Sequence, residues 1–205
     1  MDDRYNNTVL QIKALCAKGD ASAGPLLSLL GKVLKYINSR QISESTLTSN
    51  NNVEVFDDLI GGKFPVTLGK ARQLAVIEVY KALVLPGTIT GTGSGAPGYV
   101  VRNIITNALT TLTNNKSSLP SYAKEVTLCI IGDILRYKSM DCGSMLTDII
   151  TSIIKIIRSN DTVQRIMSLK ACTKIIIGCG NRIGDMHNDI IKNITKIISD
   201  KNPEV

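Results

Sequence analysis

Apolar residues recur along this chain at intervals of three and four. The plainest case is Ile149, Ile150, Ile153, Ile154, Ile156 and Ile157, a single stripe on a helix of 3.6 residues per turn. Isoleucine is β-branched and also suits strands. The runs exceed strand length, however, and lack strict alternation, so the pattern predicts helices. They fall at about 5–18, 25–38, 53–60, 66–85, 99–113, 120–138, 144–158, 162–178 and 187–199. The breaks carry turn chemistry, as at Gly61-Gly62, Pro86-Gly87, Asn114-Asn115 and Ser159-Asn160-Asp161. Pro25, Pro65 and Pro120 stand at expected helix starts, where proline is tolerated. The predicted class is all-α. Two segments depart from the pattern: residues 39–52 read as a polar, mobile loop, and residues 87–98 as a glycine-rich connector.

An internal repeat organises these helices. Asp148–Ile157 aligns with Asp189–Ile198 at an offset of 41, with seven of ten positions identical. A fainter copy begins at Asn103, 45 residues before Asp148. The intervening helices repeat as well: Gln164–Ile176 matches Ala123–Leu135, again at 41, and Ala71–Leu83 lies 52 before the latter. The glycine-rich connector accounts for most of that excess. A two-helix unit of this length falls in the HEAT and armadillo range of ~40–47 residues. HEAT repeats carry an Asp-x-x-x-x-Val-Arg pattern between paired helices, which Asp161–Arg165 and Asp200–Val205 fit loosely. Such hairpins cannot bury both faces alone, so each needs a neighbour. The expected architecture is a right-handed α-solenoid of HEAT/armadillo-like helical hairpins. Residues 1–205 then form one N-terminal segment of a longer solenoid, less regular over 1–62 and regular over 63–205.

Composition narrows the chemistry. The chain has 205 residues, 43% of them apolar but only 4% aromatic, so the core must be aliphatic. Its net charge is +7, which permits an acidic partner without demanding one. No apolar run approaches the ~18 residues of a membrane span, and Met1-Asp2-Asp3-Arg4 does not resemble a signal peptide. A soluble, cytoplasmic protein is expected. Five cysteines without a Cys-x-x-Cys pair, and His187 as the one histidine, argue against a metal site. Asn6, Asn115 and Asn193 open glycosylation sequons that read as composition alone without an export signal.

Catalytic patterns are equally weak. Gly93–Gly98 matches Gly-x-Gly-x-x-Gly, but that fingerprint works after a strand, and here a helix precedes it. His187 reads as a helix-start residue rather than a general base, and Asp57-Asp58 as a solvated helix face. Neither an enzyme nor a cofactor is expected. The column of interest is Arg72, Lys124 and Arg165, which occupy equivalent positions in three successive second helices. Stacking would align them as a ladder. In the structural reading they bond to neighbouring turns; in the functional one they form a basic stripe for an acidic peptide or phosphates. Nucleic acid is disfavoured, because aromatics for stacking are scarce.

Four stretches, Leu26–Leu34, Gly69–Tyr80, Tyr122–Asp133 and His187–Asp200, resemble the N-terminal region of the HEAT-repeat-containing protein 5 family. That family includes the fungal large accessory proteins of the Golgi–endosome clathrin adaptor. The resemblance implies a long, non-enzymatic scaffold for protein–protein interaction in clathrin-adaptor-dependent vesicle traffic. It would bind adaptor or accessory subunits, and through them the cytosolic face of trans-Golgi and endosomal membranes. The glycine-rich connector and the 39–52 segment depart from the family, so no binding residue carries over. The alternatives are a HEAT scaffold of another pathway (nuclear transport, cytoskeleton or a kinase-like giant) and a helical-repeat nucleic-acid binder.

Overall fold

The computed structural model describes residues 1–18, 23–39, 41–47, 49–60, 69–84, 98–114 and 119–197. Among them every regular element is helical. In chain order these are α1 (Asp2–Ala17), α2 (Ala23–Asn38), the single turn α3 (Glu44–Leu47), α4 (Asn50–Ile60), α5 (Lys70–Val84), α6 (Gly98–Thr113), α7 (Ser121–Lys138), α8 (Leu146–Ile157), α9 (Thr162–Cys179) and α10 (Met186–Ile197). Tight 3₁₀ segments follow α7 (Ser139–Met145) and α9 (Gly180–Ile183). The 87–98 connector lies outside the described residues apart from Gly98, which opens α6.

The helices sort into two sets by what they touch. In one, α2 packs on α5, α5 on α7 and α7 on α9. In the other, α1 packs on α4, α6 on α8 and α8 on α10. Between the sets α1 meets α2, α6 meets α7 and α8 meets α9. Burial follows from this. In α8, Ile149, Ile150, Ile153, Ile156 and Ile157 are buried while Thr151 and Lys155 are exposed, which is the stripe legible in the sequence. By contrast α7 is held by α5, α6 and α9, and it buries Ala123, Val126, Leu128, Ile131, Ile134 and Leu135 with much of its circumference covered. Each such aliphatic side chain contributes roughly 1.5–3 kcal/mol on leaving water.

The repeat reappears as geometry. Helices α7 and α9 are each 18 residues long, and they begin and end 41 positions apart. They lie against one another. Gly132 faces Ala171, whose Cα is 3.1 Å from where a Cβ on Gly132 would stand. At Gly178 such a Cβ would meet the Leu135 carbonyl oxygen at 2.2 Å and the Arg136 Cα at 2.5 Å. Only glycine permits that approach of two backbones. Lys174 Nζ donates to Asp133 Oδ1 at 2.5 Å, and the Ser139 hydroxyl donates to the Gly178 carbonyl at 2.7 Å, so polar bonds tie the same seam. At the start of α9 the Asp161 side chain accepts the Gln164 backbone N–H at 3.1 Å, the expected N-cap. Its end is a turn through Gly180 at φ +52°.

The segment read as a loop over 39–52 is organised differently. Ile42 is buried, the turn α3 follows it, and α4 begins at Asn50. The Ser43 backbone N–H and hydroxyl both donate to the Asp2 carboxylate, at 2.9 and 2.8 Å. Asn52 Nδ2 donates to Asn6 Oδ1 at 2.9 Å. These partners are more than forty residues away, which is why composition alone suggested a loop. The glycine seam yields a paired prediction. Gly178→Ala forces the α7 and α9 backbones apart and should cost about 3 kcal/mol or more in denaturant unfolding. Gly31→Ala, in α2 with nothing within 4 Å of the added carbon, should instead stabilise by about 0.5–1 kcal/mol.

Candidate interaction surface

The three basic residues singled out by the repeat sit in the first turns of α5, α7 and α9, helices that pack in that order. Arg72 is buried at 8% exposure, and its charge is felt by the Cys16 thiol at the C-terminal end of α1. Lys124 is half-buried and lines a groove of about 320 Å³ with Thr113, Ser152, Lys155, Ser159 and Gln164. Arg165 donates from Nη1 to the Ser159 carbonyl at 3.0 Å and from Nη2 to the Thr162 hydroxyl at 3.1 Å. All three stand near C-terminal ends of helices of the other set, α1, α6 and α8, where unsatisfied carbonyls favour a cation. Arg165 thus braces the α8–α9 turn, whereas Lys124 borders a groove.

A second polar cluster had no sequence signal. Asp57 in α4 is half-buried rather than solvated, which corrects the reading of Asp57-Asp58 as a solvated face. Its carboxylate accepts the Tyr80 hydroxyl of α5 and, at 2.5 Å, Asn107 Nδ2 of α6. Tyr80 is buried, and Phe56 meets it edge-on with ring centroids 6.2 Å apart. Burial, then the negative charge of Asp57 and its hydrogen bond, push the Tyr80 hydroxyl well above its ordinary ionisation range. Asn107 aligns through the repeat with Ser152 and Asn193. Both of those are buried, and Asn193 accepts Arg158 Nε at 2.7 Å. The sequon asparagine Asn193 is therefore engaged in α8–α10 packing.

No family model, no curated protein and no solved structure matches this chain. What its side chains can do must be read from their own surroundings. Among the described residues no group of three or more His, Cys, Asp or Glu could hold a metal ion. None of the described helices is long and apolar enough to cross a membrane. His187 is half-buried in the first turn of α10, with Nδ1 3.0 Å from the Gly184 carbonyl oxygen.

The five cysteines are all thiols, four of them buried and Cys129 half-buried. Burial pushes Cys16 up to about 11 and Cys142 and Cys172 up to about 12, from an ordinary value of 9.0. It raises Cys129 and Cys179 as well. These thiols stay protonated in the folded protein while the unfolded chain ionises near 9. Stability is therefore fully present below pH 9 and is lost as pH rises toward 11–12. Thermal unfolding should be insensitive to pH between 7 and 8. By about pH 11 the protein should have lost about 2 kcal/mol or more. At neutral pH a thiol reagent should label Cys129 slowly and the other four only after unfolding.

Proposed function

We propose that this chain is a stretch of right-handed α-solenoid, built from HEAT/armadillo-like hairpins, that works without catalysis by presenting an extended surface to other proteins. The observation that carries the reading is the match between repeat and packing. Helices α7 and α9, equal in length and 41 positions apart, are direct neighbours. So are α8 and α10, which hold the aligned segments around Asp148 and Asp189. One step of the sequence repeat is one step sideways in space, as nearest-neighbour stacking requires. The hairpins are α1–α2, α4–α5, α6–α7 and α8–α9, with α10 opening the next. Along this stack Arg72, Lys124 and Arg165 form a ladder whose role is to brace inter-helix turns, with Lys124 also facing a groove open to a partner.

Within that reading we assign the scaffold to clathrin-adaptor-dependent traffic between Golgi and endosomes. Support for the pathway comes from the family resemblance of the four stretches between Leu26 and Asp200. Adaptor or accessory subunits are then its partners, and it reaches the cytosolic face of trans-Golgi and endosomal membranes through them. Purified chain immobilised on resin should retain recombinant trans-Golgi clathrin adaptor at physiological salt, and Lys124→Glu should weaken retention at least severalfold. Retention of no adaptor subunit contradicts the pathway. Binding to nucleic acid that falls steeply with added salt would point instead to the phosphate-binding alternative.

A further inference from the structure

Of the three ladder residues, it is Lys124 that lines open space. Arg72 is buried, and Arg165 is bound to the Ser159 carbonyl and the Thr162 hydroxyl. The Lys124 groove, about 320 Å³, lies where α6 and α8 end and α7 and α9 begin. That is at the lower end of the ~300–1,000 Å³ of ligand clefts. Two helix C-termini and two N-termini meet there and their partial charges offset, so side chains set the sign of the groove. A second lysine, Lys155 in the last turn of α8, lines it too. Among the described residues no carboxylate lines the groove, and neither ammonium forms an ion pair or hydrogen bond. The acid beside it, Asp161, is taken up as the N-cap of α9, where it accepts the backbone and side-chain N–H groups of Gln164.

The rest of the lining holds donors that the fold leaves unused. Ser152 is 8% exposed, and among the described residues its hydroxyl makes no hydrogen bond. At the equivalent places in neighbouring units Asn107 donates to Asp57 and Asn193 accepts from Arg158, whereas this unit sets a smaller side chain at the groove. The Ser159 hydroxyl accepts the Asp161 N–H at 3.2 Å and keeps its own proton to give. Gln164 Nε2 commits one N–H to Asp161 at 3.0 Å and retains a second. By contrast the Thr113 hydroxyl already donates to the Leu109 carbonyl at 2.9 Å. Leu112 and Ile156 are buried and give the groove an apolar wall.

We propose that this groove takes a phosphorylated serine or threonine of a partner protein, its phosphate held between the Lys124 and Lys155 ammoniums and the Ser152 hydroxyl. Such a phosphate carries about −1.5 to −2 charges at pH 7 and three acceptor oxygens, which matches two cations with hydroxyl and amide donors. A carboxylate brings a single charge and two oxygens. Lysine meets phosphate as a compact point charge with three rotatable donors, so no fixed fork is needed. Leu112 and Ile156 offer an apolar seat to a residue flanking the phosphate, which favours a peptide over a free ion. The inference deepens the scaffold reading and rests on it in assigning the phosphate to a protein; the groove itself is tested without an adaptor.

The test is a titration of the isotope-labelled 205-residue chain with the peptide acetyl-Ala-Leu-phosphoserine-Leu-Ala-amide at constant ionic strength. It is followed in NMR spectra through the Ser152 and Gln164 backbone amides. Saturable shifts are expected, with a dissociation constant of about 1 mM or below, and none from the unphosphorylated peptide. Lys155→Gln, at an exposed position, should weaken binding by a factor of about two to five. Lys124→Met keeps the stem and removes the charge, and should weaken it roughly tenfold or more. Lys170→Gln, exposed on α9 and outside the groove lining, should leave it unchanged. The proposal fails if no shift saturates up to about 10 mM, if the unphosphorylated peptide binds equally, or if Lys124→Met and Lys155→Gln both leave binding unchanged. It fails equally if Lys170→Gln weakens binding as much as Lys124→Met. Inorganic phosphate binding as tightly as the peptide would assign the groove to a free anion. A glutamate-for-phosphoserine peptide binding equally would assign it to an acidic segment, and tighter binding of a short uridine RNA to nucleic acid; each overturns the assignment. Adaptor retention without peptide binding sinks this inference alone, and peptide binding without adaptor retention sinks the pathway alone.

Discussion

Everything in this molecule is arranged around the approach of α7 and α9 at Gly178 and Gly132. With no Cβ at Gly178, the α9 backbone comes against the Leu135 carbonyl and the Arg136 Cα. That closeness lets aliphatic side chains on both helices interdigitate, and it brings Lys174 to Asp133 and Ser139 to the Gly178 carbonyl. The same seam fixes the register between neighbouring units, because the joined positions Asp133 and Lys174 are themselves one repeat apart.

Charge is managed within that geometry. First-turn basic residues of α5, α7 and α9 stand where helices of the other set end, so cations meet exposed carbonyls. The acidic exception is Asp57, which is held by a tyrosine and an asparagine from two further helices. It joins α4 to α6 where that set of helices is most open. A groove of about 390 Å³ opens there between α4 and α6.

Much of the fold is legible in the sequence because helices and repeats are local or periodic. The isoleucine stripe of α8 lies where its spacing puts it, and the 41-residue offset returns as equal helix lengths. What the sequence hides depends on distant partners. Asp57 looks like a surface residue until Tyr80 and Asn107, 23 and 50 positions away, are brought to it. Gly178, inside Ile175-Ile-Ile-Gly-Cys179, resembles an approaching helix end, whereas its function is to let two backbones touch. Ser43 and Asn52 lie in a stretch of low complexity, and their long-range partners Asp2 and Asn6 come from α1.

Side-by-side stacking is tested most directly by one distance. Spin labels carried on genetically encoded residues at Asp3 in α1 and Asp189 in α10 leave the native thiols untouched, and pulsed electron resonance reads their separation. Four inter-helix steps of roughly 8–10 Å separate α1 from α10 in an open stack, which predicts a single population near about 40 Å. A population near about 20 Å would mean that the chain closes on itself as a bundle, and the stacked arrangement would be wrong.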